Sequence, residues 1–416
     1  MAYDPGEWVI EFRENTASAR LTAWVKPPDL RWSIKNSEKG EMTCELPLGM
    51  EQYDGTPIRR DSIVPWHTDW YLYRGNTLRE SGIVTSINLA DDRDSVLVAG
   101  MNWLGYLEHR TFPFDPEAYV NDRDWVSWPK QWGVGTSTGV DLRDIVEDIL
   151  EYMVSASIDS GGGIVAGPFN TPPFIFANPP TGQNGRYKIL PADETTIFDH
   201  IKKVAENSDG FEFDVLPHNL EFKMYSPNRD QGTPVYRFRK ALPEPGSSSQ
   251  NDRLIELDWT NEGPLATVTT VLGTGSSIKR GVIRTDLESV IRYRWTDRVG
   301  QVGQIASQEA LEKAASGHAF EDRFPRKRAS FAIHDPELLS PNFWTGGRPR
   351  SLLGNRVRVI HPFTAFHTVN ADYRVMGLNI EIDSHGNEKV SFEAEMINTP
   401  ESNPDFGGGG GGSEPA

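Results

Sequence analysis

"SGIVTSINLADDRDSVLVAG", residues 81–100, decides the fold, because it reads as a strand, a charged turn and a second strand. In the first strand every second residue falls on one face, and that face carries Ile83, Thr85, Ile87 and Leu89. This period-two alternation is typical of a strand with one buried face. The turn ADDRD is charged and is expected to be solvated, so the stretch predicts a β-hairpin.

The segments before this hairpin repeat the same pattern of short alternating runs separated by turns. Residues 8–110 contain the runs WVIEF, RLTAWV, DLRWSI, EMTCELPL, IVPWHTDWYLYR, SGIVTSINL and DSVLVAG. The turn NSEKGE, residues 36–41, predicts a hairpin loop with Gly40 at a positive φ. The following MNWLGYLEHR is too short for a full amphipathic helix and is expected to cap an open end of the sheet.

The middle of the chain has a different pattern. Residues 111–140 are rich in Pro, Trp, Gly and Asp without a sustained period, which predicts an extended connector. DLRDIVEDILEYMV predicts a helix with Asp141 as N-cap. TTIFDHIKKVAENSDG predicts a second helix, with Ile197, Ile201 and Val204 on its apolar stripe and Gly210 just past its end. The strands FEFDVLP and LEFKMYSP follow, so this region is expected to be a small α+β unit.

The C-terminal part of the chain echoes the N-terminal part. RLIELDWTNEGPLATVTTVL at 253–272 has the strand, turn and strand layout of DLRWSIKNSEKGEMTCELPL at 29–48. DSIVPWH at 61 is echoed by NRVRVIHP at 355, and the opening hairpin by YRVMGLNIEIDSHGNEKVSFEAEM at 373–396. Four elements in the same order indicate a duplicated β domain. Its second copy is interrupted by an insertion at about 276–328, where ASQEALEKAASGHAF predicts a short helix.

Composition excludes several function classes. Lys plus Arg number 42 and Asp plus Glu number 59, a net charge of −17 that argues against a phosphate-gripping surface. An acidic wall could nevertheless let DNA slide past without adhesion. Cys44 is the single cysteine, which rules out an internal disulfide or a cysteine-based metal cluster. The N-terminus does not have the pattern of a signal peptide, so the chain is expected to be soluble and made in the cytoplasm.

Possible chemical motifs favour structural interpretations. Gly133, Gly135 and Gly139 open a helix, yet no apolar strand precedes them, which favours a flexible helix entry over a phosphate loop. His361 and His367 form the closest histidine pair and lack metal-ligand spacing.

The charged segments favour solvated loops. The carboxylates of YVNDRDW and ADDRD do not match an EF-hand, and the basic segment DRFPRKRASF is interpreted as a charged loop that could touch DNA or an acidic partner. We predict no catalytic residue, no cofactor, no metal and no enzymatic activity.

Aromatic residues suggest contacts with other molecules. The chain has 12 Trp, many in loops and at strand ends, and aromatic residues are enriched where proteins meet proteins. They can also line a glycan site. The predicted interface residues are Trp66, Trp70, Ile83, Ile87, Leu89, Trp103 and Trp344.

The order of these parts resembles the tail-hub proteins of bacteriophages, the siphovirus minor tail proteins and the related baseplate hubs. The stretches that carry the resemblance are LRWSIKNSEKGEMTCELPL, the opening hairpin with MNWLGYLEHR, the unit DETTIFDHIKKVAENSDGFEFDV…LEFKMYSP and the return GNRVRVI…VNADYRVMGLNIEI. They span most of residues 8–400. The family is defined more by this layout than by invariant residues.

The resemblance implies a mainly β fold with an α+β insertion: two related, tail-tube-like β-barrel domains and a small α+β domain. The expected segments are a first barrel at 1–110, a connector at 111–140, the α+β domain at 141–235, a linker at 236–252, a second barrel at 253–400 and a Gly-rich flexible tail at 401–416. Three subunits would form a ring whose six barrels adapt a sixfold tail tube to a threefold tip.

The resemblance also implies the partners and the location. The chain would form a homotrimer in the virion and contact a distal tail protein, a tape-measure protein and tip or fibre proteins. DNA would pass through its channel without specific binding, and this chain would not insert into a membrane. The alternative is a β-rich protein that binds or cleaves cell-wall glycans, which a stable monomer with saccharide affinity would favour.

Overall fold

The computed structural model describes most of residues 4–397. The longer stretches outside the described residues are 111–129, 134–138, 159–163, 167–173, 190–194, 240–255, 274–279, 286–296, 303–311, 317–324, 335–343, 345–349 and 398–416. The fold is mainly β, as expected, with a few helices. The chain forms two compact units: the first contains residues 1–230, 333–354 and 377–391, and the second contains the remainder.

The first unit is built on one antiparallel sheet. Its strands are β1 (Trp8–Glu14), β2 (Leu21–Val25), β3 (Asp29–Lys35), β4 (Glu41–Pro47), β5 (Thr68–Arg74), β6 (Thr77–Leu89) and β7 (Ser95–Asn102). They lie in the order β3-β4-β7-β6-β5-β1-β2, and residues 377–382 of β24 (His367–Ile382) pair with β3. Alternating residues of β3 and β4 are buried, as the period-two pattern predicts.

The opening hairpin is confirmed, but its alternation is interrupted. β6 and β7 pair antiparallel, and their register shifts between Val84 and Ser86, so Thr85 is an extra residue on β6. Such a β-bulge redirects the side chains on either side of it. Ile83 and Val84 precede the bulge and point to opposite faces, and both are buried, so both faces of the sheet are covered there, whereas Leu89 at the end of the strand is exposed.

Two details of the N-terminal half differ from the sequence predictions. Gly40 is not at a positive φ; Ser37 takes the left-handed conformation of that turn, with φ 54°. Glycine is required at position 40 for space, because a Cβ there would lie 2.2 Å from the carbonyl oxygen of Ser33. The run that begins IVPWH was also expected to be strand throughout, yet β5 begins only at Thr68 and Pro65–His67 form a turn.

The α+β region contains three helices and several short strands. The helices are α1 (Trp103–Leu107), α2 (Leu142–Ser155) and α3 (Ile197–Ala205). The strands are β8 (Lys130–Trp132), β9 (Val140–Asp141), β10 (Ala156–Ile158), β11 (Ile164–Ala166), β12 (Ile175–Phe176), β13 (Asn184–Gly185), β14 (Tyr187–Ile189), β15 (Glu212–Leu216) and β16 (Glu221–Tyr225). The predicted helices and the β15–β16 pair are therefore confirmed. Most of the predicted connector lies outside the described residues.

Local signals fix the ends of these helices. Asp141 accepts a hydrogen bond from the backbone N–H of Arg143, as an N-cap does. Thr196 and Asp199 form a capping box at the start of α3. The apolar stripe of α3 lies in a core that also contains Leu104 of α1 and Ile83 of β6. The helices α1 and α3 and the opening hairpin thus contribute to one hydrophobic core.

The second unit contains the remaining strands. They are β17 (Tyr236–Arg239), β18 (Glu256–Pro264), β19 (Val268–Gly273), β20 (Arg280–Thr285), β21 (Asp297–Val302), β22 (Pro325–His334), β23 (Arg356–Thr364), the first part of β24, and the end of β25 (Glu388–Met396). Phe238, Phe331 and Phe392 pack against one another in its core, with ring centroids 4.7–5.0 Å apart.

The echo seen in the sequence is only partly reproduced. β24 and β25 are neighbours joined by the loop 383–387, so the predicted second hairpin is present. The predicted hairpin at 253–272 is wrong, because β18 pairs with β22 whereas β19 pairs with β20 and β21 in a different sheet. The predicted turn residues Asn261–Gly263 lie inside β18. Most of the helix predicted in the insertion lies outside the described residues.

Three further observations bound the architecture. Among the described strands no sheet closes on itself, so the two β-barrels stay a prediction. No helix in the described part of the chain is both long and apolar enough to cross a bilayer. Cys44 is buried in β4, and burial raises the pKa of its thiol, as expected for an unreactive side chain.

Candidate functional surfaces and buried clusters

The predicted interface residues fall into two groups. Four have side chains inside the first unit, with exposed fractions of 1–4%: Trp70, Ile83, Trp103 and Trp344. Trp66 is 46% exposed, Leu89 is 54% exposed and Ile87 is intermediate. The first group is packed within its own unit, and only the second group offers side-chain surface to another molecule. A contact by these residues stays a prediction.

Trp344 belongs to a buried cluster around Glu388. The indole N–H groups of Trp8 and Trp344 donate hydrogen bonds to its two carboxylate oxygens, at 2.8 and 2.6 Å. Arg74 donates to the same carboxylate at 2.9 Å, and its guanidinium lies 5.4–5.6 Å from the centroids of both indole rings. The side chains of Arg74 and Glu388 are 9% and 8% exposed, so a buried ion pair connects segments 314 residues apart in sequence.

A second buried cluster surrounds Arg350. One of its terminal nitrogens lies 2.6 Å from both carboxylate oxygens of Asp214 in β15, and the other donates to Glu80 in β6. Arg229 lies 3.2 Å from Asp214 on another side. Two arginines and two carboxyl groups therefore face one another out of contact with bulk water, because Asp214 and Glu80 are 1% and 2% exposed. The cluster links β6 to the α+β layer.

Two buried carboxyl groups have raised pKa values. Burial raises the pKa of Glu80 to about 7, although the positive charge of Arg350 opposes the rise. Burial alone raises the pKa of Asp69 in β5 to about 7. Among the described residues no donor reaches Oδ1 of Asp69. This carboxyl group therefore lacks the partners that Glu388 has.

The tips of the two hairpins line one open acidic groove of the first unit, with a volume of about 660 Å³. Asp94 and Ser95 come from the opening hairpin, and Asp383 and Ser384 come from its echo. Further carboxylates in the lining are Asp29, Glu45 and Glu381. A role of this groove as the predicted acidic wall stays a prediction.

The glycines before α2 serve backbone packing. Gly133 and Gly139 have positive φ angles of 65° and 77°, and a Cβ at either would lie within 2.8 Å of the carbonyl oxygen of Gly185. This close approach explains the glycines without a phosphate, in agreement with the prediction of a helix entry. Within the described residues, no three His, Cys, Asp or Glu side chains are grouped as metal ligands would be.

The buried clusters join residues that are far apart in the sequence. Glu80 and Arg350 are 270 residues apart, and Trp8 and Glu388 are 380 apart. A charged residue in the middle of an alternating strand, as Glu80 is in β6, was the one local signal of a buried partner. Nothing in the strand pattern identifies that partner.

Comparison with known proteins addresses the fold as a whole. No family model and no curated protein sequence matches the chain. A tail protein from Neisseria meningitidis MC58 superimposes with a TM-score of 0.56 at 11% identity, over 94% of this chain and 96% of that one. The chain has the fold of a phage tail protein.

A second solved structure leads to the same fold. The 43 kDa tail protein of prophage MuSo2 from Shewanella oneidensis superimposes with a TM-score of 0.51 at 10% identity, over 95% of this chain and 100% of that one. The tail-protein fold therefore covers both compact units and the α+β layer, and it agrees with the resemblance noted in the sequence.

Proposed function

We propose that this chain is a structural protein of a phage tail: a trimeric hub at the distal tip that adapts a sixfold tube to a threefold tip and lines the DNA exit channel. The observation that carries the proposal is the tail-protein fold over nearly the whole length of both chains. The chain would have no catalytic role and would be located in the virion after synthesis in the host cytoplasm.

The repeated hairpins support this assignment. A subunit with two related β domains, at 1–110 and 253–400, can present six similar surfaces from three copies. The hairpins β6–β7 and β24–β25 are the elements of that repeat that the fold contains. The α+β domain at 141–235 would project toward the tip, where tip or fibre proteins bind, while the ring would meet the distal tail protein and the tape-measure protein.

The charge distribution supports a channel role. With a net charge of −17, the protein as a whole repels the DNA backbone. The acidic groove at the hairpin tips is the part of the first unit that we place toward the channel. DNA would then pass without specific binding.

The mass of the purified protein tests the trimer. A trimer has a mass of about 140 kDa, against 46.6 kDa for one chain. Light scattering coupled to gel filtration should give the larger value, and a folded monomer at micromolar concentration would contradict the proposal.

A pair of variants tests the predicted contact on β6. Leu89→Asp places a charge on an exposed apolar position of the opening hairpin, and we expect it to weaken the trimer by about tenfold or more. Ile175→Asp is the matched control, because Ile175 is 47% exposed and lies in β12, outside that hairpin. Equal masses for both variants and the parent protein would place the subunit contact elsewhere.

A further inference from the structure

Trp66 is held in a conformation that its own packing does not explain. Its φ is 62°, in the left-handed region that bulky residues rarely adopt, and its side chain is 46% exposed. Strained backbone that persists on a surface, without burial of the side chain, is a sign of functional demand. The other large exposed apolar residues of the first unit, Val64, Leu89 and Ile175, have no such backbone conformation.

Hydrogen bonds hold the loop around Trp66 in place. The backbone N–H of Trp66 donates to the carbonyl oxygen of Val84 at 2.8 Å, which fixes the loop to β6. Val64 and Thr68 close the loop on itself, since the N–H of Thr68 donates to the carbonyl of Val64 and the N–H of Val64 donates to the hydroxyl of Thr68. The backbone that carries the indole is therefore held in place before any ligand arrives, which lowers the entropic cost of binding.

A small groove lies beside this indole. The ring of Trp66 contacts the ring of His109 edge to face, with centroids 4.9 Å apart, and His109 lines a cavity of about 250 Å³. The β-bulge contributes to it, because the extra residue Thr85 lines the cavity together with Ala99 and Met101 of β7. β-Bulges are frequent beside functional sites because they redirect side chains.

The groove has an apolar floor and a polar rim. Ala99 and Met101 supply apolar atoms, whereas Glu41, Lys39 and His109 bring an acceptor, a donor and a ring that can serve as either. The ammonium of Lys39 is already ion-paired with Glu108 at 2.8 Å, so this cation does not select an anionic ligand. A flat, uncharged ligand with one apolar face and hydroxyl groups around its edge matches this arrangement.

We propose that Trp66 and this groove bind a sugar ring of a neutral saccharide. A pyranose has an apolar C–H face that packs on an indole, and its hydroxyl groups both donate and accept hydrogen bonds. The cavity is smaller than the roughly 300 Å³ lower bound for drug-sized ligands, which suits one ring better than a peptide segment. The site goes beyond the structural role proposed above and does not depend on it.

Saturation-transfer NMR on the full-length protein tests the site. The probes are methyl glucoside, methyl galactoside and the methyl glycoside of N-acetylglucosamine. We expect at least one to bind in the millimolar range, and Trp66→Ala to weaken it by about tenfold or more. Trp66→Phe should retain part of the affinity, since a smaller aromatic face remains. Trp66→Gly suits the left-handed backbone, so it separates loss of the ring from loss of the loop conformation.

Ile175→Ala is the matched control, because it removes an exposed apolar side chain away from the groove. The proposal is overturned if no probe binds at about 50 mM, or if binding is unchanged in Trp66→Ala. It is also overturned if Trp66→Ala dissociates the oligomer instead, since Trp66 is then a protein contact. The mass of the parent protein, measured on the same sample, tests the hub separately.

Discussion

Glu388 and Asp69 are both buried carboxyl groups of the first unit, and their surroundings differ. Glu388 accepts hydrogen bonds from two indoles and one guanidinium. Asp69, which is 8% exposed, has no donor at Oδ1 among the described residues, and burial raises its pKa to about 7. The comparison shows that burial alone does not determine what a carboxyl group contributes to the stability of the fold. The partners decide whether it stabilises the fold as a charge or remains tolerable only when protonated.

The largest effect is expected at Glu388. Glu388→Ala leaves the guanidinium of Arg74 buried without its carboxylate and removes the acceptor of two indole N–H groups, so we expect a loss of about 5 kcal/mol in the free energy of unfolding. Urea denaturation followed by circular dichroism measures it. Glu393→Ala, at an exposed position of the same strand, is the control and should change little. Similar midpoints for the two variants would show that the cluster is not a stabilising element.

Arg350 comes next. Arg350→Met keeps much of the side-chain length and removes the charge between Asp214 and Glu80, and we expect a loss of about 4 kcal/mol. Arg229 still faces Asp214, which is why the expected loss is smaller than at Glu388. Arg350→Lys should lie between the parent and the Met variant, because an ammonium cannot reproduce the two-sided contacts of the guanidinium. A Lys variant as unstable as the Met variant would mean that geometry, more than charge, holds this cluster together.

Replacing Asp69 should change the stability in the opposite direction, because removal of its carboxylate should stabilise the fold at high pH. Its pKa is raised on folding, so its stabilising contribution is complete below about pH 4 and is lost as the pH rises to about 7. Asp69→Asn removes the charge and should raise the stability at about pH 8 by about 2 kcal/mol, with no gain near pH 4. Thermal unfolding at several pH values measures the difference. A destabilised Asn variant at high pH would mean that the carboxylate is paired after all.

Glu80 complicates the pH dependence of the parent protein, because its pKa is also raised to about 7. The same window, from about pH 4.5 to about pH 7, should therefore retain part of its slope in Asp69→Asn. The slope that remains reports Glu80 and its cluster.

Elements that depend on residues close in sequence can be predicted from the sequence, whereas elements that depend on distant residues cannot. The β6–β7 hairpin and the helix caps at Asp141 and Thr196 depend on neighbours in sequence, and their signals are readable there. The prediction of a hairpin at 253–272 is wrong because strand pairing depends on residues that are distant in sequence, and β18 pairs with β22. The bulge at Thr85 cannot be recognised in a period-two pattern, although it shifts the register of the opening hairpin and Thr85 lines the groove beside Trp66.

The smallest loss of stability is expected for an ion pair that is exposed to solvent. Arg358 and Asp372 in the second unit form a two-bond ion pair at 2.6 and 3.0 Å, as well made geometrically as the buried ones. Their side chains are 39% and 22% exposed, so water and salt compensate when the pair is broken. Arg358→Met should therefore cost about 0.5 kcal/mol, and less at high salt, when measured by urea denaturation beside Arg350→Met. A loss as large as that of Arg350→Met would show that hydrogen-bond geometry, and not removal from water, sets the cost of breaking these ion pairs.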